Sequence, residues 1–222
     1  MSERFVFVMS VPAGGLEGLV GSKLKASKVL AKAPLAFRAE LADFFDEEGL
    51  GDPAQLVQEI LDGAPQKAHA YEYGRLVELL ACALGKRLAV LEVVLTYGLP
   101  KGGDGCWNRA LKAIGLPLLA RHWAADDLHF PFRAPVRRSV SDWPIRTRWS
   151  PTLQKSLAAE LQSGWRKKLA ALDRRVLVEP RDEDFVDDTR AELQRGLLAL
   201  QRCLKTTVKR GDELVLVMDG SQ

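Results

Sequence analysis

The sequence predicts a predominantly helical α+β fold, with a small sheet in which the N-terminal and C-terminal strands pair. Three observations lead there. Residues 4–11 (Arg-Phe-Val-Phe-Val-Met-Ser-Val) are rich in β-branched and aromatic side chains and stop at Pro12. Residues 214–218 (Leu-Val-Leu-Val-Met) carry the same signature at the other end. Between them, apolar residues recur mostly at spacings of three and four, the helical period. Two short strands bury too little to stand alone, and pairing with each other is the economical solution. At 222 residues the chain can bury a core without disulfide or metal staples, so we read 1–222 as a single globular domain.

After the first strand, Gly14, Gly15, Gly18 and Gly21 punctuate a short helix. Leu24, Val29, Leu30, Leu35, Phe37, Leu41 and Phe44 continue at helical spacing, and Pro34 divides them into two helices. Asp52-Pro53 supplies an N-cap and a first-turn proline for a helix to about Leu61, which Asp62-Gly63 closes. Residues 68–85 form the most apolar helix, stopped by Gly85 and placed centrally. Residues 88–95 fit helix or strand equally. Residues 101–105 read as loop and 107–114 as a short helix. The stretch from about 116 to 150 is Pro/Trp/Arg-rich and expected to be irregular. Ser150-Pro151 opens a helix carrying Leu153, Leu157, Leu161, Trp165, Leu169 and Leu172. Residues 176–178 suit a short strand. A last long helix, capped by Asp182 or Asp184, carries Leu193, Leu197, Leu200 and Leu204 before the terminal strand.

Charge is unevenly distributed. The net charge is +3, yet residues 128–178 hold eleven Lys/Arg against three Asp/Glu, a local +8, while residues 1–60 and 179–222 are each −3. The same block holds Phe130, Phe132, Trp143, Trp149 and Trp165. Arginine forks grip phosphates or carboxylates and aromatic rings stack on bases. Arg133, Arg137, Arg138, Arg146 and Arg148, with Trp143 and Trp149, are therefore the candidate binding face. An acidic protein is the expected partner, ahead of a nucleic acid. The competing reading has the rings anchoring a loop while the arginines are solvated or pair with the acidic run Asp182, Glu183, Asp184, Asp187 and Asp188.

Other motifs carry less. Gly21-Ser22-Lys23 lacks the order of a phosphate-binding loop, and the glycine spacing does not match a dinucleotide fingerprint. His122-x₃-Asp126-Asp127-x-His129 contains ligand-type residues but reads equally as a polar loop, so we expect no metal and no cofactor. Cys82, Cys106 and Cys203 follow no metal or disulfide spacing and read as reduced thiols. No run is long enough for a signal peptide or membrane span, so we expect a cytoplasmic protein with no membrane partner. His69, Tyr71 and Tyr73 open the central helix and form a candidate pocket.

The segment Ala68-His69-Ala70-Tyr71-Glu72-Tyr73-Gly74, followed by Glu78-Leu79-Leu80 and Leu84-Gly85, resembles a recurring segment in a family of uncharacterised bacterial proteins. The similarity extends in layout over most of residues 1–175. It implies a bacterial protein and transfers no chemistry. The function expected from the sequence is a non-enzymatic, regulatory or immunity-like binding protein with a macromolecular partner. The alternative is a small enzyme or ligand-binding protein using the pocket at His69, Tyr71 and Tyr73.

Overall fold

A computed structural model describes residues 4–93, 106–123, 125–134, 136, 145–177 and 186–220. Its frame is a four-stranded antiparallel sheet in the order β2-β1-β4-β3, with β1 Arg4–Val11, β2 Lys86–Val93, β3 Ile145–Trp149 and β4 Glu213–Gly220. The terminal strands pair as the sequence predicts: Val6 lies opposite Met218 and Val8 opposite Leu216. β2 lies against the other edge of β1, with a bulge at Val8/Met9. Residues 88–95, ambiguous from periodicity, thus contribute to a strand through Val93.

Alternation along the strands sends side chains to two cores, one on each face of the sheet. Val6, Val8, Leu91, Trp149, Leu214, Leu216 and Met218 face one layer. Met9, Val11, Val215 and Val217 face the other. Strands buried on both faces read as unbroken apolar runs, which is why β1 and β4 are conspicuous in the sequence.

The second core is covered by α1 Ala26–Leu30, α2 Leu35–Glu47, α3 Pro53–Asp62 and α4 Ala70–Leu84. Pro34 separates α1 from α2 as expected. Asp52 caps α3, accepting the Ala54 N–H at 2.9 Å, and Gly63 ends it at φ +74°, a conformation that favours glycine. α4 is the central helix. Its C-terminal Gly85 sits so close to β1 that a Cβ there would lie 1.9 Å from the Ser10 carbonyl oxygen.

The first core is covered by α5 Cys106–Ala113, α6 Pro117–His122, α7 Pro151–Glu160, α8 Trp165–Ala170, α9 Arg174–Leu177 and α10 Val186–Arg210. Leu157, Leu161, Trp165, Leu193, Leu197 and Leu204 are all buried there.

Three local expectations are corrected. The 116–150 stretch is not irregular throughout: it contains α6 and strand β3. The helix expected over 151–172 breaks at Ser163-Gly164 into α7 and α8, where the Trp165 N–H turns to the Ser163 carbonyl at 2.8 Å. Residues 174–177 are a helical turn rather than the start of a strand. The expected loop at 101–105 lies outside the described residues.

Candidate functional site

β3 decides the fate of the basic–aromatic block. Strand alternation points Trp149 into the first core, where it is fully buried and donates its Nε1–H to the His122 carbonyl at 2.9 Å. Arg146 and Arg148 point to the opposite face. The Arg146 side chain is only 1% exposed. Its backbone is held on both sides, by the Asp126 Oδ1 acceptor at 3.1 Å and by the Leu128 N–H at 3.1 Å. Its guanidinium lies against α4 at Gly74, where a Cβ would come within 2.4 Å of Nη1. Its Nε and Nη1 find no hydrogen-bond partner among the described residues. Arg148 is half-buried and pairs with Glu17, while its N–H donates to Asp127 Oδ1 at 2.9 Å.

The expected binding face is therefore not one face. Arg146 and Trp149 are interior, and the Arg148 charge is spent on Glu17. Arg133 alone of the described arginines in that set is exposed. It lines a cleft of about 400 Å³ with His129, Phe130, Phe132 and Glu17. Arg137, Arg138 and Trp143 lie outside the described residues, as do the side chains of the acidic run 182–188. Among the described residues, β3 itself presents no continuous cationic surface. Asp126 and Asp127, between His122 and His129, use their carboxylates on β3 backbone N–H groups.

The His69, Tyr71, Tyr73 set is divided as well. Tyr71 turns to Arg75, accepting from Nε at 3.2 Å and Nη2 at 3.1 Å. His69 and Tyr73 converge on a residue the sequence reading missed, Glu59 of α3. The Tyr73 hydroxyl donates to Glu59 Oε2, and His69 Nδ1 lies 3.1 Å from the same oxygen. The hydroxyl in turn accepts the Gln66 N–H at 3.0 Å. Burial alone would raise the Glu59 carboxyl, but hydrogen bonds from Tyr73 and His69 and the nearby His69 charge outweigh it and hold the pKa below its ordinary value. Burial first, then the Glu59 bond, pushes the Tyr73 phenol well above its ordinary value. No local sequence signal links Glu59 to Tyr73, because the α3–α4 turn brings them together.

Neither Cys82 nor Cys203 is activated. Burial raises the Cys82 thiol and pushes Cys203 up to about 11. Among the described residues no group of His, Cys, Asp and Glu is arranged to hold a metal ion.

An open groove of about 380 Å³ lies between α2, α4 and the sheet. Phe7, Phe37, Leu41, Phe44 and Val217 give it an apolar and largely aromatic lining, and Glu40, Asp43 and Glu47 of α2 line it as carboxylates. These three follow at intervals of three and four, so they share one helix face. All three are exposed, and they make no hydrogen bond or ion pair among the described residues. Two guanidiniums already lie over rings of the groove or its edge. Arg75 is 4.9 Å from the Phe44 ring centre, and Arg87 is 4.9 Å from Phe7 and 5.1 Å from Phe37. Arg87 also pairs with the buried Glu78. The signal was present in the sequence: Glu40, Asp43, Asp46, Glu47 and Glu48 crowd one short stretch. The net charge of −3 over residues 1–60 hides it, because Lys23, Lys25, Lys28 and Lys32 share that window.

Compared with known proteins, the chain matches no family model, no curated protein and no solved structure.

Proposed function

We propose that this chain is a non-enzymatic binding protein, regulatory in the manner of an immunity protein, that engages a macromolecular partner through the α2 groove. The observation that carries the reading is the groove itself: an apolar, aromatic floor open to solvent beside carboxylates that make no hydrogen bond or ion pair among the described residues. Partly exposed rings bordered by charge are the composition of protein-binding surfaces. A bacterial and cytoplasmic setting belongs to the same proposal. It accords with the resemblance at residues 68–85 and with the buried thiols of Cys82 and Cys203. No helix among the described residues is long and apolar enough to cross a membrane.

The alternative, a small-molecule or catalytic pocket at His69, Tyr71 and Tyr73, has less support. Tyr71 faces away, and the Tyr73 hydroxyl is engaged on both its donor and acceptor sides. The cluster ties the start of α4 to α3 and reads as architecture.

Photo-crosslinking in the producing cell tests the proposal. A benzoylphenylalanine placed at Glu40 should give one discrete macromolecular adduct, whereas the same group at exposed Lys155 should not. Equal labelling from both positions, or none from position 40, refutes docking at the groove.

A further inference from the structure

We infer that the segment seated in the α2 groove is cationic and arginine-rich, contributed by a partner protein. This rests on the docking role proposed above and specifies its chemistry.

The first argument is charge placement along α2. A helix C-terminus carries a partial negative charge, so cations belong there and carboxylates are unfavourable. α2 does the opposite. Asp43, Asp46 and Glu47 occupy its last turns, Glu48 is its C-cap, and no basic residue lies in its last turn. Carboxylates at i and i+3 or i+4 also repel one another. The helix therefore holds an electrostatic excess that an external cation would relieve. A helix chosen for stability alone would carry Lys or Arg at these positions.

The second argument is the floor. Guanidiniums bind ring faces through their charge and their planarity, and do so better than ammonium groups. The groove shows this within the molecule, where Arg75 covers Phe44 and Arg87 covers Phe7 and Phe37. Arg87 has a carboxylate partner in Glu78, at the inner side of the groove. The exposed carboxylates Glu40, Asp43 and Glu47 are placed to serve as partners for further guanidiniums arriving from solvent. A lysine-rich segment would gain the rim but little of the floor. An acidic segment would be repelled by the rim.

The test uses the full chain and three fluorescent nonapeptides, all-Arg, all-Lys and all-Glu, read by anisotropy. The expected order is all-Arg tighter than all-Lys, no binding of all-Glu, and affinity falling as salt rises. Glu40→Gln/Asp43→Asn/Glu47→Gln should weaken all-Arg at least tenfold. A control that removes three charges outside the groove, Asp62→Asn/Asp173→Asn/Glu213→Gln, should change it less than threefold. Phe44→Leu should shrink the preference for Arg over Lys. The groove variant should also melt at a higher temperature than the parent, because the helix-end repulsion is gone.

Equal losses in the groove and control variants would show attraction to net charge only and would overturn the inference, as would a lower melting temperature for the groove variant. The outcomes separate from those of the docking proposal. A crosslinked partner whose contacting segment lacks basic residues removes this inference and leaves the docking role standing. All-Arg binding in the groove with no adduct from position 40 removes the docking role.

Discussion

Replacing Tyr73 with Phe removes one oxygen and leaves the ring, so it isolates the polar link between α3 and α4. The ring is fully buried and packs 6.0 Å from Phe132, a contact the variant keeps. Two hydrogen bonds are lost. One runs to the Glu59 carboxylate, and a bond to a charged group contributes roughly 1.5–3 kcal/mol. The other comes from the Gln66 N–H, whose residue is exposed and can turn to water at little cost. The expected destabilisation is therefore about 1.5–3 kcal/mol in urea at pH 7. At roughly 2–4 °C per kcal/mol for a chain of this size, the melting temperature should fall by about 3–12 °C.

The pH dependence makes the test specific. Glu59 is held below its ordinary 4.5, so its contribution is present above that pH and is lost as pH falls through the folded value. Tyr73 is held above its ordinary 10.0, so its contribution is complete below pH 10 and is lost as pH rises towards the folded value. The gap between parent and variant should be widest between about pH 5 and pH 10 and should narrow on both sides. A gap under about 0.5 kcal/mol on that plateau, or one that fails to narrow below about pH 5 and above about pH 10, would refute the linked Glu59–Tyr73 pair.

Three further outcomes are expected. Leu161→Ala, at a site 1% exposed in the first core, should cost about 2–5 kcal/mol, and an unchanged urea midpoint would show that its face is misassigned. Gly85→Ala should cost more than about 3 kcal/mol or prevent soluble expression, since its Cβ meets the Ser10 carbonyl and Val11 Cα, which are backbone and cannot swing away; a parent-like melt would contradict the close approach of α4 to β1. Glu17→Gln, which breaks the half-exposed pair with Arg148, should cost less than about 1 kcal/mol, and a larger loss would mean that this pair is a structural tie across the cleft.

What was legible in the sequence follows from what each element buries. β1 and β4 are central strands covered on both faces, so nearly every residue is apolar and the strands announce themselves. β3 lies at the end of the sheet, and its sequence Ile-Arg-Thr-Arg-Trp follows a proline. It carries no apolar run, and its pairing with β4 is set by partners nearly seventy residues away. The break between α7 and α8 was hidden because Leu157, Leu161, Trp165 and Leu169 keep helical spacing across it while the chain turns at Ser163-Gly164. All four remain buried on either side of the turn. At the candidate sites the difficulty was of the same kind. Glu59 joins His69 and Tyr73 only because α3 and α4 fold back on each other. The groove combines Phe7 from β1, Phe37 and Phe44 from α2, and Arg75 from α4.

Arg146 shows why charge in a sequence is not charge on a surface. An arginine in the middle of a basic, aromatic stretch invites the reading of an exposed anion grip. Here alternate positions of a five-residue strand place it beneath α4. The fold makes room by omitting a side chain at Gly74, inside a helix, where glycine costs about 1 kcal/mol relative to alanine. Burying a guanidinium with two nitrogens unpartnered is a further cost at the same point. Both costs fall on the structure, and neither yields a cationic surface. Meanwhile Glu40, Asp43 and Glu47 of α2 are exposed and make no hydrogen bond or ion pair among the described residues. The chain carries a net charge of +3, yet α2 presents a local run of carboxylates that make no ion pair among the described residues. Under the docking role proposed above, the field at α2 would favour a cationic segment, the sign opposite to the one that the charge total suggests.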